Sequence, residues 1–226
     1  MIISFEYKYI FIKNRKVAGS TIQYLLKKHL FNYEKDISSI LKLHDHELKK
    51  KSEFNDKYLK NVNLSANFDQ HASLFEICEI LKMPLEEVKK HFFIFCIERN
   101  SYDKAVSSYE FSRKKKTVDG SLKCPYLENF IDMFDYPKLI PSDWRNYSIN
   151  NQILVDKIFQ FSDLVFLIKF LNEKFNSKIP TKEIEHIKLK SGYRDSYLYR
   201  DYFNHETRNT VNYFFKNQIK FFNYIF

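Results

Sequence analysis

The sequence predicts an α/β protein with a central, mainly parallel sheet flanked by helices. Two observations carry that prediction. Three times an apolar run gives way within a few residues to a helical pattern. Tyr9–Ile12 precedes Ile22, Leu25, Leu26 and Leu30; His91–Ile97 precedes Ala105, Val106 and Tyr109; Ile158–Phe161 precedes Leu164, Leu167, Ile168 and Leu171. The composition agrees: 226 residues hold 23 Phe and 16 Tyr but only 3 Gly and 5 Pro, which suits helices packed on a sheet better than a loop-rich β protein. This length is that of one domain able to bury a substantial core.

The first unit reads as a buried strand, a basic turn and an amphipathic helix. Between strand and helix stands Arg15-Lys16-Val17-Ala18-Gly19-Ser20-Thr21. N–H groups at a helix start have no internal partner and sit at the positive end of the helix dipole, so this turn predicts an anion site. Gly19 has no Cβ to keep a ligand away from the backbone. Ser20 and Thr21 supply hydroxyls, and Lys16 a mobile charge. The pattern is not that of a Walker A loop, in which Lys follows the last Gly; here Lys16 precedes Gly19.

Residues 31–68 form a polar segment of mixed character, read as an insertion in the domain. Its His44-Asp45-His46 lacks the further ligands a tetrahedral metal site needs and is read as a solvated stretch. Ser73 and Glu76 have capping-box spacing, which starts a helix at Ser73 with Leu74, Ile77, Cys78 and Leu81 inward. Pro84 suits the first turn of the next helix. His71 stands on the loop entering the Ser73 helix.

The run His91–Ile97 is almost continuously apolar, as expected of a central parallel strand covered on both faces. Arg99 follows at its C-terminal end, where open α/β sheets bind ligands. Ser101 is the expected N-cap of the next helix. Ser107 lies two turns into that helix, close enough for Arg99 and Ser107 to converge on one anion. Arg113–Lys116 is read as a solvated, dipole-compensating helix end. A connecting region with short helices runs to about Asn151. After the third unit come a basic loop at Lys188–Arg194, a helix capped by Asn204, and an aromatic tail expected to pack on the body.

A formal charge of +9 favours an anionic partner: a nucleotide, an anionic glycan, nucleic acid or a membrane surface. Cys78, Cys96 and Cys124 are odd in number and lack metal spacing, which suits a reducing compartment. No apolar run approaches the roughly 20 residues that span a bilayer. Met1–Glu6 lacks the features of a signal peptide. The expectation is a cytoplasmic protein.

Three segments together resemble the sulfotransferase family that uses 3′-phosphoadenosine 5′-phosphosulfate (PAPS), in its carbohydrate branch of Golgi-type enzymes and bacterial relatives. Arg15-Lys16-Val17-Ala18-Gly19-Ser20-Thr21-Ile22 is similar to the family's 5′-phosphosulfate loop. Arg99 through Ser107 and Tyr109 resembles its 3′-phosphate motif. Gln70-His71-Ala72-Ser73 stands where the carbohydrate branch keeps a catalytic His. Val155–Phe161 and Glu206–Phe226 are similar to later family segments. The chain departs from the family with Ser101 in place of Pro, Lys104 in place of Arg, and Gln160–Asp163 in place of a segment bearing Glu.

The resemblance implies a P-loop-like three-layer fold and transfer of a sulfuryl group to a hydroxyl or amine of an acceptor, with a glycan or glycan precursor foremost. It implies that Arg15, Lys16, Ala18, Gly19, Ser20 and Thr21 hold the 5′-phosphosulfate and that Arg99 and Ser107 hold the 3′-phosphate. Lys190 and Ser191 would close over the nucleotide. Lys16 would steady the leaving phosphate and His71 act as general base. Adenosine 3′,5′-bisphosphate is the product, and neither a metal nor nucleic acid is implied; contact with a membrane surface stays open. On the residues alone, a P-loop-like nucleotide kinase and a basic nucleic-acid-binding module remain alternatives.

Overall fold

The computed structural model describes residues 1–32, 36–38, 70–117, 119–186, 193 and 198–226. Most of the 31–68 insertion, His44 and His46 included, therefore lies outside the described residues, as do Lys190 and Ser191.

Strands β1 (Ile2–Ser4), β2 (Tyr9–Ile12), β3 (Ile37–Ser38), β4 (Phe93–Glu98) and β7 (Lys157–Gln160) make one sheet in the order β3-β1-β2-β4-β7. The three strands expected from the sequence form its parallel part, with β7 at the edge, Ile10 opposite Ile94 and Cys96 opposite Ile158. β1 and β3 extend it antiparallel. The sequence reading did not identify these two, nor the small β5–β6 hairpin (Ser148–Ile149 and Gln152–Ile153). Strands of two or three residues are too short for an alternating pattern to register.

Alternation along the central strands sends side chains into two cores. Tyr9, Phe11, Phe95, Ile97 and Phe159 meet helices α1 (Gly19–His29) and α6 (Leu164–Phe175) through Ile22, Leu25, Leu26, Leu167, Ile168 and Leu171. Ile10, Ile12, Ile94 and Cys96 face the other way, onto α2 (Leu74–Leu81), α3 (Leu85–His91) and the short α5 (Trp144–Tyr147). Each Ile, Leu or Phe side chain buried in this way contributes about 1.5–3 kcal/mol by leaving water. The Cys96 thiol is fully buried, and burial holds its pKa well above the ordinary value.

Helix α4 (Ser101–Lys114) turns Tyr102, Ala105, Val106 and Tyr109 onto a third core. That core also holds Phe130, Met133 and Phe134, and Val211 with Phe215 from the region of α8 (His205–Phe214). The aromatic tail packs there too, with Phe226 against Tyr102 and Phe203; helix α9 (Lys216–Phe222) sets Phe221 on Trp144. Because α4 is anchored outward, its opposite face is left for the site.

The expected caps hold, with one correction. Ser73 and Glu76 form the capping box, and Asn204 with Thr207 forms another. On α4, however, the cap is Asn100, whose side chain accepts the Tyr102 N–H at 3.0 Å. Ser101 is already inside the helix, and its hydroxyl is buried without a partner. Among the described residues no helix is long and apolar enough to cross a membrane.

Candidate active site

The turn from β2 to α1 is compact because two non-glycine residues adopt left-handed backbone, Lys16 at φ 62° and Ala18 at φ 57°. Such conformations persist only where surrounding structure enforces them. The ties are visible. Asn14 donates through Nδ2 to the Ile97 carbonyl at 3.0 Å, and the Arg15 N–H and Nε donate to the two oxygens of Asp143, each at 2.7 Å. Ala18 then begins α1 without a side-chain cap, and the first backbone bond of the helix runs from Ile22 N–H to Ala18. The N–H groups of Gly19, Ser20 and Thr21 thus precede the helical ladder.

Gly19 serves a different end from the one expected. A Cβ there would lie 2.8 Å from Lys13 Cγ and 3.2 Å from the Asn14 carbonyl, so the missing side chain makes room for the turn itself. Lys13 is almost fully buried, with Nζ 2.9 Å from Gln23 Oε1 and 3.0 Å from Gln70 Oε1.

Arg99 approaches from the end of β4. Its Nη1 donates to the Lys16 carbonyl at 3.1 Å, its Nε pairs with Asp103 at 2.6 Å, and its guanidinium lies 4.2 Å from the Phe161 ring centre. Two turns far apart in sequence are so joined through one planar side chain. Lys16 Nζ lies 4.0 Å from the ring centre of Phe111 on α4, and Tyr193 meets that ring edge-on. Ser107, half-buried, is one helical turn before Phe111 on the same face.

His71 reaches the same place. Its Nδ1 donates to the Lys13 carbonyl at 2.7 Å, and Asn146 Nδ2 holds the His71 carbonyl at 3.2 Å. A carbonyl oxygen only accepts, so Nδ1 carries a proton and the lone pair of the neutral ring is on Nε2.

These residues line one cavity of about 600 Å³. Arg15, Lys16, Ala18, Gly19, Ser20, Thr21, His71, Arg99 and Ser107 all contribute to its wall, so every expected site residue that is described meets in one place. Among the described residues, Lys13, Lys115 and Lys138 bring the cations in the wall to six, and the one carboxylate is Glu110, fully buried and paired with Arg113 at 2.8 Å and Lys114 at 3.0 Å. The electrostatic preference is therefore for an anion. The Arg113–Lys116 run is more than a solvated helix end, since Arg113 and Lys114 pair with Glu110 and Lys115 lines the cavity.

The sequence reading missed the supports beneath the site. Asp143, Glu98 and Lys104 are buried and ion-paired, with Lys104 Nζ 2.6 Å from Glu98 and 3.1 Å from Asp143. Burial opposes the charge on Lys104, yet Asp143 and Glu98 outweigh it and raise its pKa. Burial likewise opposes the charge on Asp143, and Lys104 with Arg15 still holds that carboxyl below its usual value. The signal for Lys104 was its place in the first turn of the helix that follows Arg99; Asp143 lies in an irregular region with no readable pattern. Among the described residues no group of His, Cys, Asp and Glu could hold a metal ion.

No family model, curated protein or solved structure matches the chain.

Proposed function

We propose that the chain is a PAPS-dependent sulfotransferase with a P-loop-like fold, acting on a hydroxyl or amine of an acceptor, with a glycan or glycan precursor as the acceptor class. The observation that carries the reading is the convergence of two basic turns and a histidine in one cavity, with Arg99 bonded to the Lys16 carbonyl. The volume suits a nucleotide-sized ligand. Two anion-binding elements side by side suit a nucleotide with phosphate groups at both ribose ends better than a mononucleotide.

In this reading the Ala18–Thr21 N–H groups and Lys16 bind the 5′-phosphosulfate, while Arg99 and Ser107 bind the 3′-phosphate. Arg15 lines the cavity but engages Asp143 and the Lys138 carbonyl, so it orients the turn. The donor supplies the sulfuryl group, and its 5′-phosphate is the leaving group. His71 Nε2 takes the acceptor's proton as the acceptor atom bonds to sulfur. Lys16 steadies the electron pair left on phosphate oxygen when the old sulfur–oxygen bond breaks. The Lys13 carbonyl keeps the His71 ring in the tautomer that can accept a proton.

Calorimetry without added metal, comparing adenosine 3′,5′-bisphosphate with AMP and ATP, tests the reading. Tight binding of the bisphosphate alone is expected, followed by transfer of labelled sulfate from the donor to a saccharide acceptor. Equal affinity for the three nucleotides would overturn it.

A further inference from the structure

Beneath the cavity, one buried ammonium ties together the backbones of both anion-binding turns. Asp143 Oδ2 accepts the Arg15 N–H at 2.7 Å, and Glu98 Oε1 accepts the Arg99 N–H at 3.0 Å. Lys104 Nζ touches those same two oxygens, 3.1 Å from Asp143 Oδ2 and 2.6 Å from Glu98 Oε1. Tyr147 completes the cluster by donating to Glu98 Oε2 at 2.7 Å. Lys104, Asp143 and Glu98 are each at most 2% exposed.

We propose that Lys104 fixes the spacing between the Arg15–Thr21 turn and the Arg99 turn, and thereby selects a ligand with two anionic groups at one separation over a ligand with one. The inference rests on the bisphosphate-nucleotide reading of the cavity. Its physical basis is the stiffness of a buried, fully paired charge cluster. Pulling either turn away strands a charge where water cannot reach it, which is strongly unfavourable. The bond from Arg99 Nη1 to the Lys16 carbonyl sets the guanidinium on the cavity side, whereas Lys104 acts on the main chain below. A ligand held by one turn is indifferent to their separation. A ligand held by both gains only if the separation matches before it arrives.

Lys104 is thus a positioning residue, and selectivity is its readout. Lys104→Met alone would leave the buried Glu98 carboxylate without its cation, since Asp143 keeps Arg15, so the variant of choice is Glu98→Gln with Lys104→Met. This pair removes one charge of each sign, keeps an acceptor oxygen for the Arg99 N–H, and leaves the Arg15–Asp143 pair intact. Calorimetry would compare adenosine 3′,5′-bisphosphate, adenosine 5′-monophosphate and adenosine 3′-monophosphate on wild type and variant. Bisphosphate affinity should fall roughly tenfold or more in the variant, and each monophosphate affinity by less than about twofold.

An unchanged preference for the bisphosphate overturns the proposal, as does an equal fall for all three, which would mean that Lys104 only supports the fold. If the double variant does not melt cooperatively, Asp143→Asn replaces it. That change keeps an acceptor for the Arg15 N–H and removes the charge that ties Lys104 to the Arg15 turn, with the same two outcomes decisive. A wild type that does not bind the bisphosphate overturns the functional reading and this proposal together. A wild type that binds it, beside a variant that keeps its preference, overturns this proposal alone.

Discussion

His71 Nδ1 lies 2.7 Å from the carbonyl oxygen of Lys13, so the residue proposed as base is held by the strand end that leads into the anion-binding turn. Lys13 also grips the neighbouring Gln70 through its ammonium. One residue therefore fixes both the ring of His71 and the loop that carries it.

That relationship separates chemistry from binding. His71→Ala should lower turnover by ~10²- to 10⁴-fold, the usual contribution of a positioned general base, while bisphosphate affinity stays close to wild type. Parallel calorimetry and sulfate-transfer assays check it. A matched loss of both would make His71 a support of the loop.

If Ser107 binds the 3′-phosphate as proposed, Ser107→Ala removes one hydroxyl donor to a charged group. The expected loss is about 1.5–3 kcal/mol, or ~10-fold or more in affinity, for adenosine 3′,5′-bisphosphate. Binding of adenosine 5′-monophosphate should not change. If the monophosphate weakens as much, Ser107 does not face the 3′-phosphate.

Gly19→Ala places a methyl group 2.8 Å from Lys13 Cγ, on a side chain whose far end is already held by Gln23 and Gln70. Relief requires the turn to shift. Overpacking of this kind costs about 1–3 kcal/mol, and each kcal/mol lowers Tm by about 2–4 °C in a chain of this size. Thermal unfolding with and without bisphosphate measures both the cost and the distortion of the site; an unaltered Tm would show that Lys13 can move aside.

Lys27 on α1 gives a pH-dependent test. Burial pushes its ammonium down to about 8 from an ordinary 10.5. Between those values the unfolded chain holds the proton that the folded chain has released, so stability should rise with pH across that window. Lys27→Met should therefore raise Tm at pH 7, and the advantage should shrink as pH climbs through 8 toward 10.5. A Tm difference that does not vary with pH would remove burial of the charge as its cause.

Local chemistry made much of the molecule legible in advance. Strand β2 and most of β4 are apolar runs, β7 carries Ile158 and Phe159 between Lys157 and Gln160, and a helix follows each because apolar residues then recur at helical spacing. Arg99 and the Lys16 turn could be placed at strand ends for the same reason. The sequence determined that each of these elements exists and where its polar ends fall. Tertiary structure alone decided what those ends share. Gly19 is reserved for Lys13, Arg15 is claimed by Asp143, and Lys104 joins Glu98 to Asp143. The physical reason is that burial and ion pairing depend on which segments meet across the sheet, and the spacing of residues along one strand or helix does not record such meetings.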